Sequence, residues 1–345
     1  LKKVPGQLKP SSANAQDWVF AIADDLTGAL EVGACFPGSI VSTNRLVSGT
    51  PGAPALVIDT ETRHLPAGEA AAVVYETVLS ALPFHPRLIY KKTDSTLRGN
   101  IAAEFGALLK AMPDREIVYA PAYPQMGRTV KEGRLLVHGL PVHQTAFALD
   151  TLNPVLTSNI RALMDGLPVT ILDGESVADL EGAACSIIQR AGAPIAAGPA
   201  ALAACLKSGC ETVPLPRIAR CLIVNGSMHP VSAEQINFAK ECGSFDDEWI
   251  YFEAAPPGEG LERAAKVGEL VKQKLSESHF DALIVFGGDT ALGIHRALGS
   301  LDFHSRGEAA SGVPLSQCGP LFWITKAGGF GPPDLLCDIR RRLKS

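Results

Sequence analysis

The chain predicts an α/β fold of two domains, each with a mostly parallel sheet flanked by helices and with a ligand cleft between them. Three observations lead there. Short apolar runs of strand length alternate with segments of helical spacing along nearly the whole sequence, the pattern of repeated βαβ units. At 345 residues the chain exceeds what a single core usually supports. Finally, strand after strand runs into a loop rich in charge, hydroxyls or glycine, where open α/β sheets bind ligands.

The expected divisions are a loose leader over 1–16, a first domain over 17–212 and a second over 213–345. The leader carries Pro5, Gly6, Pro10, Ser11 and Ser12 and lacks the apolar centre of a signal peptide. The boundary is placed in 207–219, which holds Gly209, Pro214 and Pro216 and shows no periodicity.

Residues 18–23 are apolar throughout and read as a strand running into Asp24-Asp25-Leu26-Thr27-Gly28-Ala29 at the mouth of a helix. Asp25 or Thr27 would cap that helix. Two adjacent carboxylates exceed what capping needs: one can act as general base toward a hydroxyl while the other orients the substrate or holds magnesium. Residues 55–59 are the next strand, followed by a helix with Val74, Val78 and Leu82 on one face. The run 87–90 is a short buried strand that delivers Lys91-Lys92-Thr93-Asp94-Ser95-Thr96-Leu97-Arg98-Gly99-Asn100. A helix with Ile101, Phe105, Leu108, Leu109 and Met112 at periodic positions comes next. One cap from Asp94, Ser95 or Asn100 would serve it, which leaves Lys91, Lys92, Asp94 and Arg98 over. Cations beside a carboxylate suit an anionic, hydroxylated small molecule. After a strand at 116–120, the proline-containing loop 121–129 presents Arg128, a side chain fitted to bidentate capture of a carboxylate. Strands at 169–172 and 195–197 and helices at 177–190 and 199–206 complete this half.

The second half opens with a strand at 221–224 that leads into Asn225-Gly226-Ser227-Met228-His229-Pro230 and a helix from about Ser232. A strand at 249–253, a long helix at 259–278 and a buried strand at 281–286 follow. The last of these stops at Gly287-Gly288-Asp289-Thr290, with a helix at 291–298. The final strand, 320–325, gives way to Lys326-Ala327-Gly328-Gly329-Phe330-Gly331 and a closing helix at 333–343. Glycine lets the main chain approach phosphate oxygens, and helix N-termini offer free N–H groups. Three such loops in one half point to a nucleotide site. They match neither G-x-x-x-x-G-K-[ST] nor G-x-G-x-x-G, so neither a standard P-loop ATPase nor a standard Rossmann dehydrogenase is indicated.

Composition narrows the classes. The net charge is −5, and the basic run at 340–344 reads as a complement to a helix end, so no nucleic-acid partner is expected. Eight cysteines without a C-x-x-C pair read as reduced thiols in a cytoplasmic protein. There is no H-E-x-x-H spacing for zinc and no apolar run of membrane-spanning length. One half suited to a small polar anion and another suited to phosphates is the division that phosphoryl transfer requires.

The motifs 24–29, 92–100, 121–124 with 127–129, 287–290 and 326–331, in this order, resemble the four-carbon acid sugar kinase family over residues 19–338. The resemblance implies an acid-sugar domain followed by a nucleotide domain. It implies ATP-dependent phosphorylation of the terminal hydroxyl of threonate, erythronate or a 3-oxo-tetronate, with Mg2+. By this likeness Ser227, Gly287, Gly288, Asp289, Thr290, Lys326, Gly328 and Gly329 hold ATP, with Asp289 also the candidate magnesium ligand. Asp24, Thr27, Ser95, Arg98 and Arg128 hold the sugar acid. Asp25 and Asp94 are the candidate bases, unranked, and Lys92 neutralises the transferred phosphoryl group. The chain differs from many members in its shorter length, in Asp289 where Glu is common, in Asn225, and in the loop Glu61-Thr62-Arg63-His64. A homodimer is the default expectation. The alternative from another class is a sugar-acid sensor on the same fold.

Overall fold

The computed structural model describes residues 18–207, 213–254, 256–258 and 260–344; the expected leader and much of the expected boundary segment lie outside them. The first half runs through β1 (Val19–Ala23), α1 (Leu26–Cys35), β2 (Ile40–Ser42), β3 (Ala55–Asp59), α2 (Ala67–Ala81), β4 (Leu88–Lys92), α3 (Ile101–Ala111) and β5 (Ile117–Tyr119). Next come β6 (Arg128–Lys131), β7 (Arg134–Val137), β8 (Leu140–Pro141), the short α4 (Ile160–Leu163), β9 (Val169–Ile171), α5 (Val177–Gln189), β10 (Ile195–Gly198) and α6 (Ala200–Leu206). The second half comprises β11 (Cys221–Asn225), α7 (Pro230–Glu241), β12 (Trp249–Phe252), α8 (Gly260–Glu277), β13 (Ala282–Phe286), α9 (Gly288–Ala297), β14 (Phe303–Ala310), β15 (Val313–Cys318), β16 (Leu321–Lys326) and α10 (Leu335–Lys344).

Thirteen of these strands form one sheet in the order β12-β11-β13-β16-β15-β14-β2-β3-β1-β4-β10-β5-β9. The seven strands from β2 to β9 pair in parallel, as do the four from β12 to β16. Antiparallel β14 and β15 splice the two parallel blocks, β14 pairing with β2 through Phe303 opposite Val41. The halves are therefore joined edge to edge. Strands such as β1, β3 and β13 are buried at every residue, as parallel strands covered on both faces must be. Helices α8 and α9 approach to backbone contact, since a Cβ on Gly268 would strike the Gly293 carbonyl and one on Gly293 would strike that of Ala264. No helix among the described residues is long and apolar enough to cross a membrane.

Chain reversal places the ligand loops. In the first block β1 lies between β3 and β4, so connections leave it in opposite directions and a crevice opens at the strand ends. The register aligns those ends: Ala23 pairs with Asp59, and Ile22 with Lys91. In the second block Asn225 pairs with Phe286 and Phe286 with Lys326, so three glycine-bearing loops start at one level.

Several elements depart from the sequence expectation. Strand β4 continues through Lys91 and Lys92, which are strand residues and not loop residues. Helix α9 begins at Gly288, so Asp289 and Thr290 form its first turn. Strands β2, β6, β7, β8, β14 and β15 were not anticipated. β14 buries Phe303, Ser305, Gly307 and Ala309 and exposes His304 and Glu308, so between Phe303 and Ala309 its buried face carries no apolar side chain.

Candidate active site

Arg63 organises the first wall of the site. The loop after β3 folds over the end of β1, with the N–H groups of Thr62 and Arg63 donating to the Asp24 carbonyl at 3.1 and 3.2 Å. This places the Arg63 guanidinium between three carboxylates. Nε donates to Asp24 Oδ2 at 2.7 Å and Nη2 to Asp24 Oδ1 at 3.1 Å; Nη1 donates to Asp25 Oδ2 at 2.7 Å, and Asp94 Oδ2 lies 3.8 Å from Nη2. Burial disfavours the charged form of Asp24, but Arg63 and Lys91 outweigh it and hold its carboxyl below the usual range. Gly99 sits at φ +89°, where a Cβ would lie 3.2 Å from Asp24 Oδ2, so this loop needs glycine to close over the pair.

A buried polar layer supports the wall. Lys91 is fully buried, with Nζ 2.9 Å from Glu104 Oε2, and Glu104 accepts from the Thr62 hydroxyl. Lys91 is thus a structural ion-pair partner and not one of the ligand-facing cations. Asn100 Nδ2 donates to the carbonyls of Thr62 and Leu65 at 2.9 and 2.8 Å, so it ties two loops together and leaves α3 without a side-chain cap.

Asp94 is saturated. Its Oδ1 accepts from the Thr96 N–H and hydroxyl, and its Oδ2 accepts from Arg98 Nη2 at 2.8 Å. Against the cost of burial, Arg98 and Arg63 hold its carboxyl well below the ordinary value. A carboxylate so stabilised is a poor proton acceptor. Asp25 keeps the role that capping predicts, accepting from the Gly28 N–H at 3.0 Å, while also pairing with Arg63. Arg98 divides itself between Asp94 and Asp150, whose Oδ2 is 3.3 Å from Nη1. Arg128 donates to Ser95 Oγ, and its Nε is buried without a hydrogen-bond partner among the described residues. Both guanidinium groups lie over Phe147, at 5.6 and 5.7 Å.

The second wall is built from glycine loops. A Cβ on Gly226 would collide with Thr290, one on Gly328 with Ser227 Oγ, and one on Gly287 would come within 3.3 Å of the Ser227 N–H nitrogen. The three loops therefore pack closely, with the glycine backbones set against Thr290 and Ser227 of the neighbouring loops. Lys326 is buried and points back into the protein, its Nζ donating to the carbonyls of Ala327, Gly328 and Phe330 at 2.8, 2.9 and 3.1 Å. Burial pushes its amine down to about 7. Gln235 Nε2 binds the carbonyls of Phe330, Gly331 and Pro332, so two side chains hold loop 327–332 from beneath.

The walls face each other across a cleft of about 910 Å³. Asp25, Thr27, Lys92, Asp94, Ser95, Arg98 and Arg128 line one side and Gly328 and Gly329 the other. The first turns of α1 and α9 meet, a Cβ on Gly288 lying 2.7 Å from Thr27 Oγ1. Asp24, Ser227, Gly287, Thr290 and Lys326 are not among the residues lining it. Asp289 lies on a separate groove beside Lys266 and Arg296, with His64 Nε2 at 4.0 Å from its Oδ1. No cluster of three or more His, Cys, Asp or Glu that could hold a metal occurs among the described residues. Arg63 and Glu31 also line the cleft and were not singled out from sequence. The cue for Arg63 was available, since its loop follows a parallel strand just as the other ligand loops do.

Two family models match the chain: a sugar-binding N-terminal domain over residues 19–167 and a nucleotide-binding C-terminal domain over 251–336. A D-threonate kinase of Salmonella typhimurium strain LT2 is 28% identical, over 93% of this chain and 97% of that protein. A solved structure from Salmonella typhimurium LT2 superposes with a TM-score of 0.79 at 22% identity, covering 94% of this chain and 98% of its own. A Bordetella bronchiseptica protein, solved with bound citrate as a domain-swapped dimer, is 27% identical with a TM-score of 0.51, covering 95% of this chain and 98% of its own.

Proposed function

The chain belongs to the four-carbon acid sugar kinase family, and from that premise we propose that it transfers the γ-phosphate of ATP to the terminal hydroxyl of threonate, erythronate or 3-oxo-tetronate. The observation that carries the reading is the single cleft with a cationic wall on one side and glycine loops on the other. Arg128, desolvated and with an unpartnered Nε, grips the substrate carboxylate, helped by Ser95 and by Arg98 Nη1, which is shared with Asp150. The citrate found in the Bordetella bronchiseptica structure is in keeping with a wall that favours small carboxylates. Lys92 Nζ reaches the cleft with no hydrogen-bond partner among the described residues and supplies positive charge toward the transferred group. Asp25, close to Gly288, aligns the acceptor hydroxyl with the nucleotide side.

On the other wall the backbone N–H groups of Gly328 and Gly329 and of the α9 N-terminus cradle the phosphates, with Lys326 and Gln235 keeping the loop in shape. A nucleotide-bound Mg2+ commonly takes only one or two protein carboxylates, and here Asp289 at the start of α9 would be the residue to hold it, with no cluster of three acidic, His or Cys ligands among the described residues. The ion would supply positive charge that offsets the charge of the phosphates. Besides lining its groove, Asp289 shares a small pocket with Asp25, Arg63 and Gly288 where α1 and α9 meet.

The test is ADP release across the stereoisomers of four-carbon acids with ATP and magnesium. Turnover with at least one such acid supports the proposal. Tight binding of a four-carbon acid without ADP release would identify a sensor instead.

A further inference from the structure

We infer that Glu31 is the group that receives the proton from the acceptor hydroxyl; the inference deepens the kinase reading and rests on it. Three carboxylates line the cleft: Asp25, Glu31 and Asp94. Both oxygens of Asp94 are taken by Thr96 and Arg98, and those of Asp25 by the Gly28 N–H and Arg63. Glu31 differs. Neither of its oxygens accepts a hydrogen bond among the described residues, and the nearest cation is Lys92, whose Nζ is 3.9 Å from Oε2.

Its placement on α1 is equally distinctive. Every other residue of that helix is buried, and Glu31 alone keeps partial exposure, with 18% of its side chain accessible. That exposure opens onto the cleft and onto an adjoining chamber of about 420 Å³. A carboxylate on an otherwise buried helix, aimed into the space between the two walls and free of hydrogen bonds, is positioned to engage a hydroxyl.

The surroundings set its basicity. Burial raises the Glu31 carboxyl above the ordinary glutamate value; Lys92 from β4 opposes this and Asp25, the N-cap of α1, adds to it. Arg128 from β6 and Arg63 from the loop after β3 also favour the ionised form. Tyr123, Cys35 and Glu308 face it from the chamber side. The result is a stronger base than Asp94 that still sits among cations. In the step, the hydroxyl oxygen bonds to the γ-phosphorus while the bond from phosphorus to the bridging oxygen of ADP breaks and its electron pair leaves with ADP. The hydroxyl proton passes to Glu31 and from there to solvent through the cleft.

The experiment compares wild type, Glu31→Gln, Glu31→Asp and Asp25→Asn in steady-state ADP release with the best four-carbon acid. Glu31→Gln is expected to lose on the order of a hundredfold or more in kcat. Its KM values for acid and ATP should stay within about threefold. The acid limb of the kcat/KM pH profile should disappear in Glu31→Gln and persist in Asp25→Asn, and Glu31→Asp should recover part of the rate. ADP titration and a cooperative melt show that Glu31→Gln is folded; if it is not, the wild-type profile and Glu31→Asp decide. A Glu31→Gln enzyme retaining more than about a tenth of kcat overturns the inference, as does a loss confined to the KM of the acid or a wild-type profile without an acid limb. A wild type that turns over no four-carbon acid sinks the kinase reading and this inference together, whereas an active wild type with an active Glu31→Gln sinks only the inference.

Discussion

Arg63 touches three carboxylates, and this one side chain explains how so much negative charge coexists at the end of β1. Removing it would leave buried Asp24 with only Lys91 and Lys92 to offset its charge, a loss approaching the roughly 3–5 kcal/mol of a broken buried pair. Arg128 is the opposite case, a half-buried guanidinium whose buried Nε has no hydrogen-bond partner among the described residues. Truncating one partner of a desolvated charge pair costs roughly 2–5 kcal/mol, so Arg128→Ala should raise the KM for the sugar acid by on the order of thirtyfold or more. The KM for ATP should be nearly unchanged, because the glycine loops lie on the far wall. Steady-state kinetics in both substrates checks this, and an unaltered acid KM would remove Arg128 from the substrate grip.

At the scale of elements, the nucleotide wall depends on loop 327–332 being held from beneath. Lys326 is charged below about pH 7 and loses its proton as the pH rises through that value, because burial depresses the amine from its usual range. Charged, it has three N–H donors for the carbonyls of Ala327, Gly328 and Phe330; neutral, it has two and no charge to share with nearby phosphates. Nucleotide binding therefore favours the protonated form, and ATP affinity is expected to fall as the pH rises from 6 to 8. Lys326→Met should bind ATP more weakly throughout and lose that dependence. Titration of both proteins with ATP at the two pH values is the check, and parallel pH curves would refute the role.

The whole molecule is governed by the splice of β14 and β15 between the two parallel blocks. Because β14 pairs with β2 and β15 with β16, the cleft walls hang from a continuous sheet. One core cluster accordingly runs from Trp18 in the first half to Trp323 in the second. Thermal unfolding is expected to show a single calorimetric transition shared by both halves, with a van't Hoff enthalpy close to the calorimetric one. Two resolved transitions, one shifted by sugar acid and the other by nucleotide, would show that the halves melt independently. Large rigid-body opening is limited by the same splice, so closure over substrates falls to the loops on each wall.

Much of this was readable before any coordinates. Apolar runs flanked by helical spacing marked β1, β3, β5, β11, β13 and β16, since strands buried on both faces must be apolar at every position. The charged loops at the strand ends stood out because residues adjacent in sequence, such as Asp24 with Asp25 or Lys92 through Arg98, carry more charge than a turn requires. Partnership across the fold was not readable. Nothing local distinguishes Lys91, paired inside the protein with Glu104, from Lys92, which reaches the cleft. Nor does local sequence show that Lys326 turns inward while Arg63 gathers three acids. Such roles follow from which side chains meet at strand ends brought together by parallel pairing, a long-range matter that short-range spacing does not encode. The charge of each side chain was therefore written in the chain, and whether that charge is spent on the protein or offered to a ligand was settled by packing.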